Sequence, residues 1–510
     1  MRFIPIFCEH QPGVIVGYKR DDMKIHLDSA SGMDYGKFIA IRKLPQYKIV
    51  GSEAQIPDEY AHLLGTITER PSVQYNPSGG LFDYQRDITE LACQKKKYAV
   101  FADCGLGKTR IILDFARHAA EATGKRTLIV SPLMVARQTA GEARKWNGID
   151  CEILRGTRLR EWSNGEGTEI GITNYEAITD AFTHQLGSII LDESSMLKSH
   201  YGKWGTRLIE MGRGVEYKLC ATGTPAPNDR IEYANHAVFL DRAKTVNEFL
   251  ATYFVNRGQT NNRWELKPHA LRPFYRSLAD WSIFLTSPAT YGWQDNVGTL
   301  PPISIHVDHI PLTKEQRKAA QDLTGNLMTV RVGGIGQRGK LSQIAKGTNG
   351  IPTNKPAFIR DMIASWPDES TIVWCHYNQE QEMMANELPN NVSVSGSTKE
   401  ERRHEMVSDF ISGIVPTLIT KPKILGFGLN LQVATRQVFS GIKDSYEEFY
   451  QAVKRSNRIG STHPLNVHIP VTELEVPFVE NVLAKASRVE ADTKEQEELF
   501  KEMFEHGSFA

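Results

Sequence analysis

The segment Ala102-Asp103-Cys104-Gly105-Leu106-Gly107-Lys108-Thr109 constrains this chain more than any other. It follows the apolar run Tyr98-Ala99-Val100-Phe101, which reads as a strand. It precedes Arg110-Ile111-Ile112-Leu113-Asp114-Phe115-Ala116, whose apolar residues fall at helical spacing. Strand, glycine turn and helix in that order make a phosphate cradle. The backbone N–H groups of the turn, with Gly105 and Gly107 as its glycines, converge on a phosphate at a helix N-terminus, where the helix dipole also favours negative charge. Lys108 supplies a point charge for the outer phosphates of ATP, and the Thr109 hydroxyl is placed to ligate Mg2+. Ala102 stands where the strict pattern has its first glycine.

At 510 residues the chain has room for about three domains, each with its own core. With 40% hydrophobic and 24% charged residues it reads as a soluble, globular protein. Sixty Lys+Arg balance sixty Asp+Glu, so affinity for nucleic acid has to come from a local basic groove rather than a global field. The six cysteines, Cys8, Cys93, Cys104, Cys151, Cys220 and Cys375, form no C-x-x-C pair. That argues against a zinc knuckle or a disulfide framework and for a reducing, intracellular setting. No run approaches the roughly 18 consecutive apolar residues of a membrane span. The opening Met1-Arg2-Phe3-Ile4-Pro5-Ile6-Phe7 is interrupted by Glu9-His10 before a signal-peptide core can form. The expectation is a cytoplasmic protein with no membrane partner.

Residues 1–77 form a first compositional unit, with strand-like runs at Gly13–Gly17 and Lys37–Ile41 and a helix opening near Pro57-Asp58-Glu59. Pro71, Asn76-Pro77 and Ser78-Gly79-Gly80 then read as a linker. Beyond it, β-rich runs at Tyr98–Phe101, Thr127–Val130, Glu169–Thr173, Ser188–Leu191 and Tyr217–Ala221 alternate with helical segments, which implies a parallel sheet flanked by helices. A connecting region holding Phe249, Tyr253, Phe254, Trp264, Phe274, Tyr275, Trp281 and Phe284 ends at Leu300-Pro301-Pro302, and its aromatics are expected to pack between lobes. Strands at Ser370–Trp374, Val392–Ser395, Pro416–Thr420, Gln437–Phe439 and Asn466–Ile469 mark a second alternating region. Glu490–Glu505 reads as a charged helix with a solvated amphipathic face. The fold expected is α/β, with two parallel-sheet lobes in tandem at 78–300 and 301–485, a small N-terminal α+β domain at 1–77 and a helical tail at 486–510.

Gly187-Ser188-Ile189-Ile190-Leu191-Asp192-Glu193 is an apolar strand ending in two carboxylates. Such pairs commonly face solvent, but a phosphate loop upstream gives this one a task. Magnesium-dependent hydrolysis needs one carboxylate, Asp192, to hold the hydrated metal and another, Glu193, to orient and deprotonate the attacking water. Before the loop, Leu81-Phe82-Asp83-Tyr84-Gln85-Arg86 sets an aromatic beside Gln85, whose amide offers a donor and an acceptor to an adenine edge. After another strand, the hydroxyls of Thr222 and Thr224 in Ala221-Thr222-Gly223-Thr224-Pro225 are candidates for coupling the nucleotide to the neighbouring lobe. In Gln451-Ala452-Val453-Lys454-Arg455-Ser456-Asn457-Arg458-Ile459-Gly460, Arg455 and Arg458 lie three residues apart, so on a helix both project from one face. Hydrolysis of a triphosphate needs positive charge against its transition state, and arginine fingers contribute about 10³–10⁵ in rate. Arg458 is the first choice for that role and Arg455 the second.

Together these segments resemble the superfamily-two helicases, and within them the Swi/Snf-type DNA translocase ATPases, phage-encoded members above all. The resemblance covers about residues 81 to 485. It includes Ile129-Val130-Ser131-Pro132 and Ile172-Thr173-Asn174-Tyr175, and so implies that Ser131, Pro132, Thr173 and Asn174 touch a nucleic-acid backbone. In the second lobe it includes Ile372-Val373-Trp374-Cys375-His376 and Ser395-Gly396-Ser397 with Glu401-Arg402, which implies the same for His376, Ser395 and Gly396. Gly426-Phe427-Gly428-Leu429-Asn430-Leu431 matches the motif that links DNA to ATP, which implies a coupling role for Gly428, and Gln451, at the head of the arginine segment, is a further coupling candidate. Arg338-Gly339-Lys340-Leu341-Ser342-Gln343-Ile344-Ala345 is a further match and a candidate phosphate contact read as a glycine-rich basic loop.

The family implies two RecA-like P-loop lobes with ATP and Mg2+ in the cleft between them and DNA across the opposite rim. It implies lobe closure around ATP and sequence-independent grip on DNA, in the host cytoplasm of a phage infection. Three departures bear on this. Ser194-Ser195 follow Asp192-Glu193 where the family has histidine, Ser461 replaces a glutamine, and Ile283-Phe284-Leu285-Thr286 lacks an arginine pair. The alternatives are a strand-separating or branch-migrating helicase, an RNA helicase, and a regulator that holds ATP without cycling. A nuclease reading of Glu216-Tyr217-Lys218 fails for want of an upstream aspartate context.

Overall fold

The computed structural model describes residues 22–27, 37–38, 40–42, 44, 46–57, 60, 73–132, 135–178, 186–198, 203–258, 264–295, 300–324, 335–366, 369–425, 430–458 and 460–505. The chain divides into two compact units. The first is made of Met1–Asp103, Gly107–Asn296 and Thr493–Ala510, the second of Cys104–Leu106 and Val297–Asp492.

Near the N-terminus, strand Glu53–Pro57 pairs antiparallel with Asp22–His26 on one side and Lys48–Val50 on the other. Its alternation buries Ala54 and Ile56 against Leu27, Ile41, Leu44 and Tyr60. Lys37, Phe38, Ala40, Ile41 and Arg42 are helical, which corrects the strand expected there. Gly13–Gly17 lies outside the described residues, as do Asp58 and Glu59, while Pro57 closes a strand. The linker is tied down: the Tyr75 and Ser78 hydroxyls both donate to the buried carboxylate of Asp114, on the helix that follows the glycine turn.

The first unit's main sheet has seven parallel strands, in spatial order Ser282–Leu285, Lys97–Ala102, Tyr217–Thr222, Leu186–Asp192, Arg126–Ser131, Ile170–Asn174 and Cys151–Ile153. Its central strands are buried on both faces, so they run apolar without alternation. Two edge strands, Cys151–Ile153 and Ser282–Leu285, add to those read from the sequence. Ser282–Leu285 pairs Ile283 with Val100 and Phe284 with Phe101. Phe249, Phe254, Phe274, Tyr275, Trp281 and Phe284 accordingly belong to this unit's own core around Phe101 and Tyr233, which corrects the expectation that they pack between lobes.

The second unit holds six parallel strands in the order Ile303–His309, Leu465–Val471, Arg436–Phe439, Thr371–Trp374, Thr417–Thr420 and Asn391–Ser393. Ile372, Trp374, Leu418, Phe439, Val467 and Ile469 fill its core. Two parallel sheets in tandem bear out the expected α/β class. Arg338-Gly339-Lys340 is not a loop: it lies in the helix Ile335–Ala345, with Leu341 and Ile344 buried and Arg338 paired to Asp444 at 2.9 Å.

The last helix runs Val476–Glu505, and its end is not a solvated face. Leu499 and Phe500 are buried, Glu497 accepts from the Thr286 backbone N–H at 2.7 Å, and Gln496 donates to the Tyr233 hydroxyl at 3.2 Å. Phe500 meets Tyr291 edge-on at 5.6 Å. Phe500→Ala is therefore expected to cost roughly 3–5 kcal/mol of stability in denaturant unfolding, where a solvated position would cost next to nothing.

Candidate nucleotide-hydrolysis site

Parallel strands bring their C-terminal ends to one edge of a sheet, which is where open α/β folds hold ligands. In the first unit that edge carries Ala102, Asp192 and Thr222, each the last residue of its strand. Between Ala102 and the helix Lys108–Thr123, Gly105 (φ +92°) and Gly107 (φ +68°) turn the chain in the left-handed region that side chains disfavour. Gly107 is required a second time, since a Cβ there would lie 2.3 Å from the Gln85 amide nitrogen. Gln85 is buried, with its Oε1 accepting from the Phe82 N–H at 3.1 Å and its Nε2 donating to the Tyr84 hydroxyl at 3.3 Å. The structure thus sets the carboxamide directly against the glycine turn.

Lys108 Nζ donates to the carbonyls of Ala102 at 2.8 Å and Asp103 at 3.2 Å, so its charge lies within the turn. Thr109 is half-buried beside it. Burial, with the Glu193 charge adding to it, pushes the Asp192 carboxyl up to about 7, while Lys108 works in the other direction. Lys108, Asp192 and Glu193 therefore share one electrostatic neighbourhood. Glu193 turns out of its strand in a left-handed conformation, φ +55°, uncommon for a residue with a side chain. Its Oε2 accepts from the Thr222 hydroxyl at 3.1 Å, and that hydroxyl in turn accepts from the Thr224 N–H at 3.2 Å. Thr222 and Thr224 are both buried. The threonines read as a coupling motif in the sequence are joined to the Glu193 carboxylate.

The donor set suits magnesium. Mg2+ prefers hard oxygen ligands and is bound in nucleotide sites by one or two carboxylates together with substrate phosphates rather than by a protein cage. Asp192 and the Thr109 hydroxyl supply such oxygens.

Tyr175 closes the segment Ile172-Thr173-Asn174-Tyr175 and had no role of its own in the sequence. It is buried, and its hydroxyl donates to the Asp192 carbonyl at 2.7 Å, pinning the end of the acidic strand. The available signal was a tyrosine directly after a buried strand, between Asn174 and Glu176, which when buried needs a polar partner. Ser131 and Thr173 are buried as well, and the Thr173 hydroxyl is engaged by the Leu154 carbonyl at 2.9 Å. Asn174 donates to Glu176 at 2.7 Å, and Pro132 is half-buried.

In the second unit the helix Tyr446–Val453 ends before the two arginines, which corrects their placement on one helical face. Arg455 is buried, and its carbonyl accepts from the Leu431 N–H at 3.0 Å; Arg458 is half-buried. Ser461, noted as a departure, organises this turn: its hydroxyl donates to the Ser456 carbonyl at 2.7 Å and accepts from the Arg458 N–H at 3.1 Å. Gln451 is buried and Gly428 lies outside the described residues. His376 follows the strand Thr371–Trp374, and burial, with Lys346 and Lys443 nearby, pulls its imidazole well below the usual histidine range. Ser395 bonds to Ser397 at 2.9 Å across a turn in which Gly396 is exposed, with open space where a Cβ would stand.

Residues 82–231 match the family model described as DEAD/DEAH box helicase, and residues 354–460 match the helicase conserved C-terminal domain. The chain is 23% identical over 425 residues to protein p41 of Acyrthosiphon pisum secondary endosymbiont phage 1, covering 76% of this chain and 91% of that protein. It is 23% identical over 529 residues to the ATP-dependent helicase/translocase YwqA of Bacillus subtilis (strain 168), covering 91% of this chain and 53% of that protein. Among solved structures, the Sulfolobus solfataricus SWI2/SNF2 ATPase core in complex with dsDNA aligns with a TM-score of 0.39 at 19% identity, over 84% of this chain and 98% of that one. Among the described residues no helix is long and apolar enough to cross a membrane.

Proposed function

We propose that this chain, which carries the DEAD/DEAH box helicase domain and the helicase conserved C-terminal domain, is a superfamily-two motor of the Swi/Snf type that translocates along duplex DNA while hydrolysing ATP with Mg2+. The observation that carries the reading is the gathering of Lys108, Asp192 and Glu193 in one electrostatic neighbourhood at a sheet edge, with Thr222 bonded to Glu193, in a chain that matches both helicase domains.

In this reading the glycine turn and Lys108 hold the phosphates, Gln85 reads the adenine edge, and Thr109 and Asp192 hold the metal, which supplies charge neutralisation at the phosphates. Glu193 orients the attacking water and takes its proton. Arg455 and Arg458 oppose the charge that develops in the transition state, and Thr222, Thr224, Gly428 and Gln451 pass the nucleotide state on. Ser131, Pro132, Thr173, Asn174, His376, Ser395 and Gly396 line the path of the DNA backbone. For Ser131 and Thr173, whose side chains are buried, that contact would run through the main chain.

Grip on the sugar-phosphate backbone predicts binding that ignores sequence and falls steeply with salt. A footprint of about six phosphates loses roughly 10³ in affinity between about 50 and 200 mM salt. The test is phosphate release measured with duplex, single-stranded and forked DNA and with RNA. Duplex DNA is expected to stimulate most, with no strand separation in a parallel unwinding assay. Stimulation by RNA alone, or release of a displaced strand, would replace the reading with that of an RNA or DNA helicase. Tight ATP binding without DNA-stimulated release would leave only a regulator.

A further inference from the structure

Glu193 is held in a backbone conformation, φ +55°, that a residue with a side chain disfavours and that persists only where the surroundings fix it. One bond reaches its carboxylate, from Thr222. A second set of contacts fixes the turn itself and ends on a residue outside every motif noted in the sequence. Ser194, the next residue, is fully buried, and its hydroxyl lies 3.1 Å from Nε2 of His236, which is also fully buried. His236 belongs to the helix Tyr233–Phe239, and Phe101, on the strand that feeds the glycine turn, packs edge-on against its ring at 5.3 Å.

Burial pushes the imidazole pKa down to about 4, so the ring is neutral and carries a single N–H. In the tautomer whose proton sits on Nδ1, Nε2 accepts the Ser194 hydroxyl. One neutral, fully buried hydrogen bond thus joins the acidic turn to the helix behind it. A lone buried histidine is an unusual choice for filling a core, and its ring nitrogen falls one residue from the hydrolytic carboxylate.

We propose that His236 is a positioning residue for hydrolysis: acting through Ser194, it holds the left-handed turn that aims Glu193 at the attacking water. The inference rests on the hydrolytic role given above to Glu193. It is tested with Ser194→Ala, His236→Leu, His236→Gln and the Ser194→Ala/His236→Leu double variant, each measured for kcat, for KM of ATP and for Tm.

Ser194→Ala and His236→Leu are expected to lower kcat roughly 10- to 100-fold, the cost of a small misplacement of a reacting group, with KM for ATP held within about twofold. His236→Gln, whose amide can still meet the Ser194 hydroxyl, is expected to recover most of the rate. The double variant should be no slower than the slower single one, because the two residues act as a unit. Unchanged kcat in Ser194→Ala, which removes one oxygen and perturbs the fold least, overturns the proposal. So do losses that multiply in the double variant, or that track Tm and KM instead of kcat. Should the wild type fail to hydrolyse ATP at all, the function proposed above falls. The Ser194–His236 contact is then read by nitrogen NMR of the His236 ring, whose Nε2 resonance should move in Ser194→Ala and on addition of ATP; a resonance indifferent to both overturns this inference independently.

Discussion

Lys108→Ala should abolish nucleotide binding and with it all DNA-stimulated phosphate release. The ammonium of Lys108 lies within the glycine turn, on the carbonyls of Ala102 and Asp103. There it presents a full positive charge to the phosphates of a bound nucleotide. A unit charge about 4 Å from another, at the effective dielectric of a protein surface, is worth roughly 4 kcal/mol, which corresponds to about a thousandfold in dissociation constant. The loss does not stop at the phosphates. Lys108 is also the charge that opposes burial and Glu193 at Asp192, so its removal leaves those two influences unopposed and disfavours the carboxylate form that a cation needs. The fold should survive, because Lys108 is half-buried at the first position of its helix and Gly107, not the lysine, makes the turn. Titration with a fluorescent ATP analogue, with Tm as the control, reads both effects. A folded variant that binds ATP with near wild-type affinity would remove Lys108 from the site.

What the sequence shows and what it hides follow from how far each signal reaches along the chain. The central strands were legible because burial on both faces leaves unbroken apolar runs such as Tyr98–Phe101 and Ser188–Leu191. The edge strand Ser282–Leu285 was not. It is four residues long, it follows directly on the amphipathic helix Leu271–Trp281, and only its pairing with Lys97–Ala102 makes it a strand. The glycine turn, the acidic pair and Gln85 were legible because each is a local pattern tied to a chemistry. The bond from Thr222 to Glu193 and the contact of Ser194 with His236 join residues far apart in sequence, and no spacing rule connects them. The tail shows the same limit from another side. Leu499 and Phe500 give the helix an apolar face, but amphipathicity says only that a face exists, not that Tyr291 and the Thr286 turn lie against it. The arginine pair fails for a tertiary reason. Spacing by three places two side chains on one face only while the helix continues, and here the Arg455 carbonyl is claimed by the Leu431 N–H, while the Asn457 side chain donates to the Pro301 carbonyl.

That local structure decides how the arginine prediction should be made. Arg458→Ala is expected to leave ATP binding intact while stopping turnover. A guanidinium that meets charge present only in the transition state contributes to kcat and not to ground-state affinity. Removing such a group lowers the rate by about 10³–10⁵, or roughly 4–7 kcal/mol of barrier. Arg455 is the less informative site, since its side chain is buried and its loss carries a folding cost that mimics a catalytic one. Arg458 is half-buried, and its turn is held by Ser461 through main-chain groups, namely the Arg458 N–H and the Ser456 carbonyl. Truncating Arg458 therefore leaves the turn its own hydrogen bonds. Equilibrium binding of an ATP analogue together with DNA-stimulated phosphate release separates the two quantities, and Tm guards against a folding defect. Unimpaired binding with turnover lost identifies Arg458 as the transition-state cation. Robust hydrolysis by the variant passes that role to another residue, and weakened binding in proportion to rate would make Arg458 a ground-state phosphate ligand instead.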